Sequence, residues 1–482
     1  MKRSVKMVLG IYGVLVLAWS VLSAYFMLCG RDSQGDSFCK YPSGIDYREK
    51  TRCALTNENG YTYIKALEET MLTNNASRYL DYLLLQAYIN GTTNRLRLAS
   101  SAKELIVAES NTFKCASYIL NSPMFYMPRG DTVPVSLLMR IANMSRVKAV
   151  YEASQGDVAK GRKTLMNVVE TGRKVMGNES FSVRTSQLVG FRMAIMALDI
   201  ASQPLFVDGD EAWLADLQSR YREFIEDDTA RAKLAAGRAI MECWQCMDEM
   251  YSANRLMVMA HVIGVNSTSL RNTFDAGLIG VGDIPAQRWD GLERGFVAAF
   301  LTVFPGYARY AMQPNRSIDV HKTKYACFCR KLEEPYDIDY AQKGKFCWES
   351  MPFRDFNPFK RNWLGESMMG TECYSSDYLR LFRNRFNIYA RIVKIACLSY
   401  KMRHGAFPVK LEVLVPEFLA EVPHDPYDGK PMHYNSEKLF LWTPGEDLSF
   451  DGNVKFLPSG KVSRAFLKSR YVYFIESKWH DY

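Results

Sequence analysis

The 482-residue sequence predicts a mainly α-helical protein: an irregular α-helical array with an N-terminal transmembrane helix and a small C-terminal α+β module. Three patterns predict this fold class. An uncharged apolar run lies near the start, apolar residues recur every three or four positions through the middle, and a period of two appears near the end. The expected segments are 1–30 (cytoplasmic stub and membrane anchor), 31–60 (linker), 61–304 (helical array), 305–375 (an ordered excursion rich in Cys, Pro and aromatic residues) and 376–482 (long helix plus antiparallel sheet).

Composition and charge exclude several classes of protein. With 48% hydrophobic and 23% charged residues, the chain is neither a disordered protein nor a collagen-like fibre nor a small disulfide-rich knot. A mean hydropathy of −0.19 excludes a polytopic membrane protein. The net charge of +9 is low for a dedicated nucleic-acid binder of this length, so no nucleic-acid partner is expected.

The N-terminus predicts a membrane anchor. Three of the first six residues are basic, and Met7–Gly30 then contains no charge. At about 1.5 Å per residue such a helix crosses a hydrocarbon core of about 30 Å. Because basic residues favour the cytoplasmic side, we expect a single-pass protein of the inner (cytoplasmic) membrane, held by Val8–Cys29, with its N-terminus inside and its bulk extracytoplasmic. A cleaved signal peptide is the alternative, although Leu28-Cys29-Gly30 is a mediocre cleavage site.

The middle of the chain predicts an array of helices. Apolar residues recur at helical steps over Leu137–Tyr151, and Gly156-Asp157 then provides a residue to end that helix and one to cap the next. In the following helix, Gly161 and Gly172 fall on the apolar face, so a neighbouring helix can approach closely. No fixed 34-residue repeat is present, which makes the array irregular. Further helices are predicted at Leu188–Ala201 and through Thr229–Val265.

Cysteines outside the anchor number ten, an even count that suits an oxidising compartment. The disulfide candidates are those in segments expected to be irregular: Cys39, Cys53, Cys327, Cys329, Cys347 and Cys373. The last four could instead supply four thiolates to zinc. Cys243 and Cys246 have the C-x-x-C spacing of thiol–disulfide oxidoreductases, but they lie inside a predicted helix, where core packing or a structural bridge is the alternative.

The C-terminal part predicts a long helix followed by a small sheet. Seven apolar positions from Leu379 to Tyr400 alternate steps of three and four, and Gly405 can end that helix in the left-handed conformation. Basic residues occupy its other faces, where they serve solubility or contact with an anionic partner. A short helix is expected at Lys410–Leu414. Strands are predicted at Leu439–Trp442, Val454–Leu457, Val462–Ala465 and Tyr471–Phe474.

The stretch His404–Gly452 resembles the C-terminal domain of type II secretion major pseudopilins. It shares His404-Gly405-Ala406-Phe407-Pro408, Val422-Pro423-x-Asp425-Pro426 and Asp428-Gly429-Lys430-Pro431. The resemblance implies a helix, a loop and a short sheet, with a calcium site in the loop of Asp447 and Asp451. Pseudopilins carry a prepilin-peptidase site and a Glu-bearing apolar helix directly before this domain, and this chain has neither. As a whole the chain resembles a family of uncharacterised bacterial envelope proteins with an anchor, a helical middle and a pseudopilin-like end.

A further metal-site hypothesis concerns His424, Asp425, Asp428 and His433, which lie close together in the sequence. Imidazole nitrogens and carboxylate oxygens are common metal ligands. Asp-Pro and Asp-Gly are also turn dipeptides, so turn formation alone accounts for the two aspartates. Apart from calcium at the loop of Asp447 and Asp451, no cofactor is predicted.

No short catalytic motif was found: the sequence lacks a nucleophile elbow, a P-loop, a dinucleotide fingerprint and an H-E-x-x-H zinc-protease motif. No catalytic or cofactor-binding residue is therefore assigned. The leading hypothesis is a membrane-anchored extracytoplasmic scaffold or interaction protein, linked to secretion or envelope organisation, whose partners are other envelope proteins. The alternative is an extracytoplasmic enzyme, a hydrolase or a thiol-redox protein, whose site is assembled from distant residues.

Overall fold

The computed structural model is mostly helical, with 73% of the described residues in helices and a small three-stranded antiparallel sheet near the C-terminus. The longer stretches that the structure describes are residues 2–29, 110–123, 135–176, 183–207, 209–252, 325–334, 372–445, 448–454 and 472–475. Shorter or single-residue stretches between 60 and 125 and between 303 and 361 are also described.

Helices make up most of the described chain, and the strands come near its end. The helices are α1 (Lys2–Cys29), α2 (Ser110–Asn121), α3 (Val135–Ser154), α4 (Val158–Met176), α5 (Val183–Ala201), α6 (Pro204–Val207), α7 (Glu211–Ser252), α8 (Tyr307–Ala311) and α9 (Glu372–His404). A 3₁₀ turn covers Leu411–Leu414, and the strands are β1 (His433–Asn435), β2 (Phe440–Trp442) and β3 (Val472–Phe474).

The chain divides into two compact units that do not follow chain order. The first contains Met1–Lys50, Lys233–Lys331 and Phe346–Ser376. The second contains Thr51–Ala232, Leu332–Lys345 and Asp377–Tyr482, so it combines helices from the middle of the chain with the C-terminal sheet. The segment boundaries expected from the sequence stay a prediction.

Helix α1 of the first unit carries an exposed apolar surface. Its window Ile11–Cys29 has a mean hydropathy of 2.0, and only 11% of that window is buried. The buried part lies toward the C-terminal end, where the ring of Phe26 packs edge-on against Phe304. The exposed Trp19 donates from Nε1 to the carbonyl oxygen of Val303 (2.8 Å). Among the described residues this is the one helix long and apolar enough to cross a membrane, a test that a signal sequence also passes.

Helices α3, α4 and α5 of the second unit pack against one another. The junction between α3 and α4 is the one predicted. Gly156 has a φ of +95°, a conformation that glycine adopts at little cost, and Asp157 Oδ1 accepts a hydrogen bond from the backbone N–H of Lys160 (3.0 Å). The prediction of a glycine helix end followed by an aspartate cap is confirmed.

Close helix approach at the two glycines of α4 is also confirmed. A Cβ added at Gly161 would lie 2.6 Å from the carbonyl oxygen of Ala149 on α3. One added at Gly172 would lie 2.5 Å from the carbonyl oxygen of Gly190 on α5. These distances are shorter than real Cβ contacts, so any larger side chain would force the helices apart.

Helix α9 buries the apolar face that its period predicts. Phe382, Phe386, Val393 and Ala396 are each no more than 1% exposed. The helix ends at His404, and Gly405 follows with a φ of +77° while its N–H donates to the carbonyl oxygen of Lys401 (2.8 Å).

Several basic residues of α9 are not on a solvated face, contrary to the solubility interpretation. Arg391 makes a bidentate ion pair with Asp199 of α5, with Nε–Oδ1 at 2.6 Å and Nη2–Oδ2 at 2.7 Å. Arg380 is 14% exposed and its Nη1 lies 3.8 Å from Oδ1 of Asp228 of α7, whereas the exposed Arg403 pairs with Glu211 of α7. Residues 192 positions apart in sequence thus join the long helix to the helices from the middle of the chain.

The sheet is short and antiparallel. Strand β1 pairs with β2, with Tyr434 opposite Leu441, and β2 pairs with β3, with Leu441 opposite Tyr473. The predictions at Leu439–Trp442 and Tyr471–Phe474 are confirmed to within one residue, and β1 was not predicted. Val454 is not in a strand, and the rest of Val454–Leu457 and all of Val462–Ala465 lie outside the described residues.

Candidate metal-binding site

The site begins as a tight reversal of the chain between Asp425 and Lys430. The N–H of Asp425 donates to the carbonyl oxygen of Lys430 (2.7 Å), and the N–H of Gly429 donates to that of Asp425 (2.9 Å). Gly429 has a φ of +69°, which explains glycine at this position. Just outside the turn, the N–H of Met432 donates to the carbonyl oxygen of Pro423 (2.9 Å). The reversal brings side chains on both of its sides together.

Asp425 lies at the bottom of the site and has no exposed surface. Its Oδ1 accepts hydrogen bonds from the N–H of Tyr427 (2.8 Å) and from the hydroxyl of Thr443 (2.9 Å). Its Oδ2 is buried and accepts none from the residues that the structure describes. Burial outweighs these hydrogen bonds and raises the pKa of Asp425 to about 6. The turn therefore holds one carboxylate oxygen and leaves the other unsatisfied.

Asp428 and His433 form the outer part of the site. The Oδ2 of Asp428 lies 2.8 Å from Nε2 of His433, and its Oδ1 accepts from the N–H of Lys430 (3.0 Å). Burial acts to raise the pKa of Asp428, but the hydrogen bonds from His433 and Lys430 lower it below its usual value. The His433 ring stacks on Trp442, with centroids 4.1 Å apart, because the two residues face each other across β1 and β2.

Three of the four residues in the Asp/His hypothesis meet in the structure. One ligand atom from each of Asp425, Asp428 and His433 lies within 4.8 Å of the others. His424 is not part of this group; its backbone pairs with Pro431. Thr443, which orients Asp425, was missed by the sequence reasoning because it lies 18 positions further along the chain and belongs to no local motif.

The calcium hypothesis for Asp447 and Asp451 is only partly within the structure. Asp447 lies outside the described residues. Asp451 is exposed, and its Oδ1 accepts from the N–H of Asn453 (3.0 Å), an arrangement that a loop aspartate makes without a metal. Among the described residues Asp451 joins no group of ligands.

The local structure around the described cysteines differs from the irregular segments expected for disulfide formation. Cys327 and Cys329 lie in a helix at 325–333 and not in an irregular segment, and because two residues on a helix are about 200° apart they cannot bridge each other. No disulfide joins the cysteines that the structure describes. Cys39, Cys53 and Cys347 lie outside the described residues. Cys373 lies in α9, and Cys243 and Cys246 in α7, with their side chains outside the described set.

Comparison with known proteins adds no relative: no protein-family model, curated protein or solved structure matches this chain. The stretch His404–Gly452 contains the end of α9, the 3₁₀ turn and strands β1 and β2. Its resemblance to the pseudopilin domain stays a prediction. The function proposed below therefore depends on the residues of this chain.

Proposed function

We propose that this chain is a membrane-anchored extracytoplasmic scaffold or interaction protein, inserted in the inner membrane by α1 and linked to secretion or envelope organisation. The observation that carries the proposal is the exposed apolar surface of α1. Most of the large side chains between residues 11 and 21 are more than 40% exposed. Hydrocarbon chains would remove that surface from water, and the helix satisfies its own backbone hydrogen bonds in lipid.

The charges of the second unit support a scaffold over an enzyme. Asp228 of α7 is 3% exposed and accepts from Gln187 of α5 (2.9 Å) and Asn384 of α9 (3.0 Å). Together with Asp199–Arg391, this contact joins α5, α7 and α9. Polar groups paired in this way fix the helices relative to one another, as a scaffold requires.

The described groove of the second unit supports the same function. It is small and is lined by residues of α2, α3 and α4. Among its lining side chains Lys148 alone is ionisable. Enzyme pockets usually gather several ionisable groups with shifted pKa values, so this groove is better suited to contact with a protein surface.

Membrane topology tests the first part of the proposal. A reporter enzyme that is active only outside the cytoplasm, fused after Tyr482, should be active and remain with the membrane fraction. Replacing Lys2, Arg3 and Lys6 with Glu should lower that activity, because the N-terminus then loses the positive charge that keeps it inside. An inactive reporter in the unaltered chain, or recovery of the chain in the cytosol, would overturn the proposal. The mass of the purified chain separates an anchor from a cleaved signal peptide.

Site-specific photo-cross-linking tests the second part. A cross-linking residue at exposed positions such as Tyr118 (48% exposed) or Val409 (80%) should capture a defined envelope protein. The matched control is Ala194, which has no exposed surface and should capture none. Absence of a product at every exposed position would contradict a scaffold.

One observation favours the alternative of an extracytoplasmic hydrolase. Asp428 and His433 form a carboxylate–imidazole pair beside the buried Asp425. Such a group is also able to serve acid–base chemistry. Under this alternative His433→Gln abolishes the cellular function without affecting the cross-links, whereas under the scaffold proposal function is lost only together with the cross-links.

A further inference from the structure

The group of Asp425, Asp428 and His433 has the composition of a transition-metal site. Two carboxylates and one imidazole give oxygen and nitrogen ligands, a set that suits zinc and its neighbours in the first transition row. Calcium prefers six to eight oxygen ligands, and this group offers an imidazole with few oxygens. We propose that Asp425, Asp428 and His433 bind one divalent transition-metal ion, for which zinc is the best match.

The positions of the ligand atoms are close to those that zinc requires. Zinc with nitrogen and oxygen ligands at about 2.0–2.2 Å holds those atoms roughly 3.3–3.6 Å apart in a tetrahedron. His433 Nε2 and Asp428 Oδ2 are already 2.8 Å apart, and all three ligand atoms lie within 4.8 Å of one another. Side-chain movements of about 1 Å would bring these separations into the tetrahedral range. The ion replaces the hydrogen bond between Asp428 and His433.

The buried oxygen of Asp425 is an independent observation that points to a cation. Oδ1 is engaged by Tyr427 and Thr443, whereas Oδ2 is fully buried and has no hydrogen-bond donor in the described part of the chain. A buried polar atom without a partner costs about 1–3 kcal/mol, and more if it is charged. A metal ion bound at Oδ2 would remove that cost.

The surroundings of the site fix the ligands and leave a path for the ion. Trp442 stacks on the imidazole and holds the plane of the ring. The side chains of Asp428 and His433 are 13% and 21% exposed, so the outer side of the site reaches solvent. Lys430 Nζ lies 4.0 Å from Asp428 and is 71% exposed, free to swing aside. Three protein ligands leave the fourth position of zinc to water or to a bound group.

Zinc binding to the full-length protein in detergent tests the proposal. After removal of metals with a chelator, competition against a chromogenic chelator should show one Zn²⁺ bound per chain. Asp428→Asn and His433→Gln should each weaken binding by more than about 100-fold, beyond the effect of losing a residue that only orients a ligand. The control Glu437→Gln changes an exposed acidic residue of the same module and should leave binding unchanged. No zinc bound, or equal binding by His433→Gln, would overturn the proposal.

Two further measurements keep a folding defect or another site from imitating this result. Circular dichroism of the metal-free variants should match the unaltered protein, and a variant that fails this test is replaced by His433→Asn. X-ray absorption of the bound zinc should show nitrogen and oxygen neighbours near 2.0–2.2 Å with an imidazole signature. A sulfur neighbour at about 2.3 Å would assign the ion to cysteines. Loss of zinc in Asp451→Asn would assign it to the loop of residue 451. Either result overturns the proposal.

Discussion

Two carboxylates of the second unit, the partly buried Asp199 and the fully buried Asp425, have opposite surroundings. Asp199 receives both arms of the Arg391 guanidinium at 2.6 and 2.7 Å. Asp425 is fully buried, and the donors that reach it are neutral groups on one oxygen only. The fold itself therefore neutralises the charge of Asp199, whereas it supplies only neutral donors to Asp425 and leaves one of its oxygens open to a ligand.

The pKa values of the two groups move in opposite directions for this reason. Burial acts to raise the pKa of Asp199, but the charge and hydrogen bonds of Arg391 outweigh it and bring the pKa below its ordinary value. For Asp425, burial prevails and the pKa rises to about 6. The ionised form is therefore stabilised in one place and destabilised in the other.

Removal of the guanidinium is expected to have the largest effect. Arg391→Met removes the guanidinium that pairs with Asp199 but leaves the charges of Lys394 and Arg146 nearby. Breaking a fully buried pair costs about 3–5 kcal/mol. Because the Asp199 side chain is 34% exposed, we expect a smaller loss of about 2–3 kcal/mol in the free energy of unfolding. This loss is measured by urea unfolding of the full-length protein, with tryptophan fluorescence as the signal.

A double variant provides the control for that loss. Asp199→Asn together with Arg391→Met removes both charges and should recover part of the stability that Arg391→Met loses. If the double variant is no more stable than Arg391→Met alone, the loss does not come from an unpaired charge.

Acidification should weaken the Asp199–Arg391 pair, with a smaller effect on stability than Arg391→Met. The pKa of Asp199 is lowered in the folded state. Its contribution to the stability of the protein is therefore complete above its pKa in the unfolded chain, about 3.9, and is lost as the pH falls through its pKa in the folded protein. At pH 7 we expect the free energy of unfolding of the unaltered protein to exceed that of Asp199→Asn by about 1–2 kcal/mol. The difference should shrink below pH 4. A difference that does not change with pH would show that charge is not its origin.

Local patterns of the sequence predicted the elements but not the contacts that connect them. The step of three and four residues located the buried face of α9, including Phe382 and Val393, because helical periodicity is a local property. The pair Asp199–Arg391 was not predictable, since 192 residues separate its members and each looks like an ordinary surface charge. Proline density made the segment of Cys327 look irregular, yet it is helical at 325–333.

The candidate site shows the same limit at a shorter range. Asp425, Asp428 and His433 were grouped because they lie close together in the sequence, and turn formation was the alternative explanation for the two aspartates. Strand β1, which carries His433, was missed because its three residues lack an apolar alternation. The unsatisfied Oδ2 of Asp425 depends on burial by the whole module, which spacing does not reveal.

Loss of the Thr443 hydroxyl should cost about 1–2 kcal/mol. Thr443→Val keeps the shape of the side chain and removes the donor to Oδ1 of Asp425. A matched control is Thr171→Val, another buried threonine, whose hydroxyl donates to the carbonyl oxygens of Asn167 (2.8 Å) and Leu120 (3.3 Å). The control should cost less, because no carboxylate depends on that hydroxyl. Equal losses in urea unfolding would mean that Thr443 does not specifically support Asp425.

The smallest effect on the free energy of unfolding is expected at Asp425, whose carboxylate is not paired with a cationic side chain. In metal-free protein, Asp425→Asn should change the free energy of unfolding by less than about 1 kcal/mol, because the lost acceptor is offset by removal of a poorly compensated buried charge. Asp199→Asn, measured in the same urea series, should lose more. If Asp425→Asn is the more destabilising change, the carboxylate of Asp425 is held by the fold as firmly as that of Asp199. Its free oxygen would then no longer indicate a missing ligand.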